Sequence, residues 1–342
     1  MPPDLLSLYA MMLHSRLFEE AVTQLWHAGL ISGEMHLGTG EEAIAAGIVS
    51  QLQDGDALAL DHRGTPPLLM RGVDPLLILR ELLGRPDGLC AGQGGHMHLF
   101  SKQHLAASSG IVGASGPVGA GFALAAQYLH PGAVSVALFG DGAINQGMLM
   151  ESMNLASAWK LPLIFVCKDD RWAITTESHL MTGGSLAERA RGFGLPYLEV
   201  DGRDAREVWQ TAKRALQNAR SGGGPTFLHA HCVHLEAHFL GYQLLRTLRT
   251  PLKEIPKLSG PLMAALLRPG GGSLPQRLAG VKTVVDSLLS AIRDPRRKSE
   301  NDPLVYTRLL LADDSARLVE IESQVTCQID QILVEVLGEV SA

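Results

Sequence analysis

The sequence predicts an α/β fold: a mostly parallel sheet with helices on both faces. Three observations carry this. Two short apolar runs, Val134–Phe139 and Leu163–Cys167, flank a helical segment that ends near Lys160 at Leu161-Pro162, the pattern of a parallel βαβ unit. Two further strand-length runs, Tyr197–Val200 and Thr226–His234, bracket an amphipathic helix over Asp204–Arg220 and a Gly-Gly-Gly-Pro turn. Hydrophobic residues make up 46 % of the 342 residues and charged residues only 19 %, with 37 glycines, which suits a folded α/β enzyme and excludes a disordered chain.

Composition excludes other classes. The net charge of −6 leaves no basic footprint for nucleic acid. The four cysteines are scattered without a CxxC pair, against a disulfide framework or a zinc ribbon. The N-terminus lacks the basic start and apolar block of a signal peptide. No apolar run approaches the roughly 20 residues that span a bilayer. A reducing cytoplasm is the expected setting.

In chain order, Leu5–Gly29 is an amphipathic helix that Gly29 stops. Residues 31–46 form a loop feeding a helix and contain His36 and Gly40-Glu41-Glu42-Ala43. Asp56–Gly72 begins as a short strand ending in His62-Arg63, followed by Thr65-Pro66-Pro67. Leu89–Phe100 is glycine-rich and carries His96 and His98, for which a packed structural role is expected. Ser109–Gly121 holds the turn Gly110-Ile111-Val112-Gly113, and a helix over Gly119–Leu129 leads into the central unit. There the first strand stops at Gly140-Asp141-Gly142 and the second at Lys168-Asp169-Asp170. Ligands of open α/β sheets sit beyond the carboxyl ends of the strands, at helix N-termini that accept phosphate. Asp141 and Asp170 would therefore face one small site. Mg²⁺ takes oxygen ligands, usually one or two carboxylates plus substrate phosphates, so a Mg-diphosphate site is the first hypothesis. The plain alternative is a tight turn and a solvated strand end.

Thr226–Phe239 carries four histidines: His229, His231, His234 and His238. A metal site is one reading; with no carboxylate or cysteine at clear ligand spacing it ranks below cofactor contact. Residues 241–300 are rich in Pro, Gly, Lys and Arg and read as a mobile excursion or a partner-docking element. Residues 301–342 end in a helix over Ser315–Val340 with an apolar stripe that packs on the same domain or on a partner subunit. The domain reading is thus 1–240, 241–300 and 301–342.

Gly140-Asp141-Gly142 followed by the polar pair after Cys167 resembles the diphosphate motif of thiamine-diphosphate enzymes. The longer match, Phe139–Gly147 plus Asn154–Cys167, resembles the alpha subunit of the first component of 2-oxo acid and acetoin dehydrogenase complexes. The resemblance covers residues 5–239 and, more loosely, 301–340. It implies a thiamine-diphosphate-binding fold with thiamine diphosphate and Mg²⁺ as cofactors. Asp141, Asp170 and the Trp172 carbonyl would hold Mg²⁺. Gly142, Ala143, Arg63 and His238 would hold the diphosphate, Arg63 through its planar two-pronged fork. Gly110 and Val112 would line the aminopyrimidine, His62 would join Arg63 in binding the cofactor, and His62 and His238 are the implied catalytic histidines.

The resemblance further implies cleavage of a small oxo substrate, a 2-oxo acid or acetoin, with the acyl unit passed to a lipoyl-bearing acyltransferase. The partner would be a beta subunit in an alpha2-beta2 heterotetramer. That subunit supplies the glutamate that activates the cofactor, so the chain alone is expected to be inactive. A biosynthetic thiamine-diphosphate lyase or ligase, or a partner-binding paralogue without catalysis, are the alternatives. The chain departs from the family pattern at several points. Glu41 replaces a glutamine and His96 a small residue. Thr65 stands for a substrate-side histidine and cannot titrate near neutral pH. Lys168-Asp169-Asp170 replaces Glu-Asn-Asn, and His234, Ala237 and Phe239 replace arginine, glycine and serine. Mg²⁺ accepts either oxygen type at position 170, so binding is expected to survive, with Lys168 offsetting part of the added charge.

Overall fold

The computed structural model describes residues 4–174, 176–236, 238, 240, 260, 263–264, 266–267, 272–292 and 294–340. A seven-stranded sheet runs through it in the order β2-β3-β1-β4-β5-β9-β8. Its strands are β1 (Ala57–Leu60), β2 (Phe100–Ser101), β3 (Ala106–Ser108), β4 (Ser135–Gly140), β5 (Leu163–Asp169), β8 (Tyr197–Asp201) and β9 (Thr226–His231). All neighbours are parallel except β2 and β3.

Strict alternation sends each strand's apolar side chains to two cores. Leu58, Leu60, Val136, Leu138, Ile164, Val166 and Leu228 lie on one face, against α1 (Leu5–His27), α2 (Glu42–Val49) and α9 (Ala205–Arg220). Ala59, Ala137, Phe139, Phe165, Cys167 and Phe227 lie on the other, against α5 (Ser115–Leu129), α6 (Gly147–Trp159) and α8 (Leu186–Gly192). A sheet buried on both faces needs near-continuous apolar strands, which β4 and β5 supply. Phe139, Phe165 and Phe227 are fully buried, each contributing about 2–3 kcal/mol of transfer free energy.

Asp56 ties the sheet's entry side together. It is completely buried and accepts from Val134 N at 2.8 Å, Gln53 N at 2.7 Å and Arg220 Nη1 at 2.8 Å. An Asp56→Ala substitution strands Arg220 and two amides, so it is expected to cost about 3–5 kcal/mol in urea denaturation; a cost below about 1 kcal/mol would contradict this role.

Three boundaries differ from the sequence reading. The strand expected to end at His62-Arg63 stops at Leu60, and Thr65-Pro66-Pro67 opens a helix, α3 (Thr65–Met70), because proline suits a first helical turn. The helix expected from Gly119 begins at Ser115. Strand β9 ends at His231, not His234. There Cys232 N still donates to Asp169 O (2.9 Å), but Leu235 N then bonds Thr39 O, so the chain crosses the loop before α2. Gly40 permits that crossing: its φ is +100°, and a Cβ there would lie 2.0 Å from the Val233 carbonyl oxygen.

The expectations at Ala237, Phe239 and most of 241–271 lie outside the described residues. Beyond them come α10 (Leu274–Ile292), α11 (Pro303–Leu310) and α12 (Ser315–Val340). Leu318, Val325, Ile329 and Val336 of α12 are buried against α1 and α4 (Pro75–Leu82), and Glu339 pairs with Arg80 and Arg85. The stripe therefore packs on the α/β domain itself. Among the described residues no helix is long and apolar enough to cross a membrane.

Candidate active site

The carboxyl ends of β1, β4, β5 and β9 deliver the polar side chains to one region. After β4 the chain turns through a 3-10 helix, Asp141–Asn145, into α6. Asp141 is 3 % exposed and accepts from the Ser178 hydroxyl. Burial first, then the neighbouring Asp170 and Asp169 carboxylates, push its carboxyl far above the usual range. Asp170, 5 % exposed, goes the other way: burial opposes its ionisation, but His234, Arg63 and the Trp172 amide together hold the carboxylate ionised. Two buried acidic groups that repel each other in a narrow space fit a divalent cation, which removes the repulsion.

Gly142 has a steric reason to be glycine, since a Cβ would lie 2.8 Å from that of Ala173. Ala143 is buried beside it. β6 (Trp172–Ala173) pairs antiparallel with β7 (Thr176–Glu177) in a small hairpin that leads into α7 (Ser178–Met181), and Trp172 N donates to Asp170 Oδ1 at 3.3 Å. Arg171 (φ 68°) and Ile174 (φ 58°) hold left-handed backbone at the hairpin, each costing about 1 kcal/mol or more.

Arg63, 3 % exposed, donates to the carbonyls of Leu37 and His238, the latter at 2.8 Å, and lies 3.3 Å from His238 Nδ1. Around it four histidines gather. His36 lies 4.6 Å from His62, 5.2 Å from His96 and 5.2 Å from His238 between ring centroids, and its Nδ1 is 2.9 Å from His96 Nε2. Burial, with the Arg63 charge adding to it, holds all four well below the ordinary histidine range, His96 at about 4 and His238 at about 3. They are neutral at physiological pH. His62 Nε2 is buried without a hydrogen-bond partner, an orphaned nitrogen at the site. Sequence reasoning gave His96 a packing role and did not join His36 to this group; the contact between residues 36 and 96 leaves no local signal.

Several departures from the family pattern touch one another. Lys168 Nζ lies 2.6 Å from Glu41 Oε2 and 3.0 Å from Asp61 Oδ2. His234 bridges Glu41 Oε1 (2.7 Å) and Asp170 Oδ2 (2.6 Å). Burial and Arg63 disfavour His234's charge, yet Asp170 and Glu41 raise it above the ordinary histidine value. The expectation that Lys168 offsets Asp170 is corrected: Lys168 serves Glu41 and Asp61, and His234 serves Asp170. Arg296, also missed from sequence, donates to the Asp170 carbonyl and pairs with Asp294.

Gly110 and Val112 sit on the loop between β3 and α5. A Cβ at Gly110 would meet Met97 Sδ at 2.9 Å, while Ile111 and Val112 are 61 % and 51 % exposed. Thr65 is buried as the first residue of α3.

A doubly covered parallel sheet with buried carboxylates at the ends of adjacent central strands frames the site, and the sequence places it in a family. The chain belongs to the dehydrogenase E1 component family, whose model matches residues 9–254. It is 41 % identical over 239 residues to the alpha subunit of acetoin:2,6-dichlorophenolindophenol oxidoreductase of Cupriavidus necator, covering 69 % of this chain and 72 % of that one. It is 38 % identical to the protein of the same name from Bacillus subtilis (68 % and 71 %). It is 40 % identical to the pyruvate dehydrogenase E1 component subunit alpha of Zymomonas mobilis (69 % and 67 %). Its relatives are thus E1 alpha components of oxidoreductases.

Proposed function

We propose that this chain is the alpha subunit of a thiamine-diphosphate- and Mg²⁺-dependent oxidoreductase that cleaves acetoin or a 2-oxo acid in the cytoplasm. The observation that carries the reading is the buried Asp141–Asp170 pair at the ends of β4 and β5. Asp141, Asp170 and the Trp172 carbonyl would hold Mg²⁺; Gly142, Ala143, Arg63 and His238 would hold the diphosphate. Bound thiamine diphosphate supplies a carbon nucleophile for the substrate carbonyl. His62 and His238, held neutral by burial, can each accept a hydrogen bond at a ring nitrogen. Gly110 and Val112 offer main-chain contact to the aminopyrimidine.

Ile111, Val112 and Met148 are large exposed apolar side chains, and the Gly113 next to Val112 lies against Met148; such exposed surface suits cover by a beta subunit. The acyl product would leave on a lipoyl-bearing acyltransferase. Co-expression with the beta subunit tests the reading. An alpha2-beta2 heterotetramer that reduces 2,6-dichlorophenolindophenol with acetoin or pyruvate is expected, with no turnover by the chain alone. An active homodimer would contradict it.

A further inference from the structure

At the ends of β5, β8 and β9, to one side of the Asp141–Asp170 pair, stands a second group of potential ligands. We infer that Asp169, His229 and His231 form a distinct site for a zinc-type divalent transition ion, with a coordination position left open to water. The parallel register sets Asp169 opposite His231, and alternation along β9 puts His229 on the same face as His231. One ligand atom from each of the three lies within 4.8 Å of the others. His229 Nε2 is 2.7 Å and His231 Nδ1 3.9 Å from Asp169 Oδ2. Tetrahedral ligands at about 2.0–2.2 Å from zinc stand roughly 3.3–3.6 Å apart, so closure needs shifts on the order of 1 Å.

Each ligand is braced from behind. The Tyr197 hydroxyl lies 2.7 Å from His229 Nδ1, Glu199 Oε1 lies 2.6 Å from His231 Nε2, and Arg171 N donates to Asp169 Oδ1 at 2.8 Å. Metal-binding histidines are oriented in this way through the ring nitrogen that does not bind. The nitrogen that points inward, His231 Nδ1, is buried and has no hydrogen-bond partner. A simple Asp–His–Tyr relay accounts for His229 but leaves that atom unexplained.

The donor set selects the ion. Two imidazoles and a carboxylate suit zinc or cobalt, whereas Mg²⁺ prefers an all-oxygen shell. Glu41, Cys232 and His234 also lie close together, but both nitrogens of His234 already pair with Glu41 and Asp170. The proposed ligands are shared neither with that group nor with the Asp141–Asp170 pair.

The test is calorimetric titration of Zn²⁺, and spectroscopic titration of Co²⁺, into the full chain with millimolar Mg²⁺ present. One equivalent is expected, with visible d–d bands of Co²⁺ in a nitrogen and oxygen shell and no thiolate charge-transfer band. His231→Ala, at the strand end, should abolish the site, and Tyr197→Phe should weaken it about tenfold by removing a brace. Cys232→Ser should leave it unchanged. Absence of stoichiometric binding would overturn the assignment. So would binding that survives His231→Ala and is unmoved by Tyr197→Phe, or binding that disappears with Cys232→Ser.

Discussion

Replacing Asp141 by asparagine is expected to stabilise the cation-free chain and to remove Mg²⁺-dependent binding of thiamine diphosphate. In the wild type the Asp141 carboxyl is buried against Asp170, and both burial and that neighbour disfavour its ionisation. An amide of nearly the same shape carries no charge and can donate a hydrogen bond toward Asp170. The gain is about 1–3 kcal/mol, which for a domain of this size raises Tm by roughly 2–4 °C per kcal/mol in EDTA. The pH dependence has a definite sign. The folded value of Asp141 lies above its unfolded value of 3.8, so the native state binds the proton more tightly. Wild-type stability from this group is therefore full below about pH 4 and falls as pH rises toward the folded value, so the variant's advantage grows in that direction. Cofactor affinity moves oppositely, with at least a hundredfold loss in the presence of Mg²⁺. A variant no more stable in EDTA, or one that still binds the Mg²⁺ complex tightly, would refute this account of the pair. Stability given up to hold a functional charge pair is a common trade.

Lys168 carries the second large effect. Its ammonium is buried between Glu41 and Asp61, and removing it strips Asp61 of its cation and leaves Glu41 with only His234 at 2.7 Å and Arg63 at 4.0 Å. Lys168→Met is expected to cost about 3–5 kcal/mol in urea denaturation, since breaking a buried pair costs far more than the pair contributes net. Adding Glu41→Gln should recover about 1–3 kcal/mol, because one of the stranded charges disappears. A single-variant loss below about 1 kcal/mol, or strict additivity of the two, would show that the residues do not act together. Glu41, Lys168, Asp170 and His234, each a residue type the family resemblance does not lead one to expect, form one chain of contacts.

The sheet was legible because its strands carry their own signal. Val134–Phe139 and Leu163–Cys167 are apolar on both faces, and the Gly-Asp-Gly stop and Leu161-Pro162 break mark where they end. Local chemistry misled where a tertiary contact set the boundary. β9 stops short of His234 because the chain must cross Gly40, and the two prolines after Thr65 open a helix for which the sequence reading gave no element. Of the candidate site, Asp141 and Asp170 were readable from their strand ends. The pairing of Lys168 with Glu41 and of Asp169 with His229 was not, because each joins residues from separate strands or loops. A histidine cluster that showed no carboxylate at ligand spacing in sequence acquires Asp169 across the β5–β9 register. Arg296 arrives from a stretch that matches no part of the family pattern.

The central claim is that Asp141 and Asp170 hold the metal that anchors a diphosphate cofactor. Calorimetric titration of thiamine diphosphate into the chain assembled with its beta subunit, in Mg²⁺ and in EDTA, tests it most directly. The account predicts saturable binding in Mg²⁺ that is lost in EDTA and lost again in Asp170→Ala. Binding of equal strength with and without the metal, or no binding in either, would contradict it.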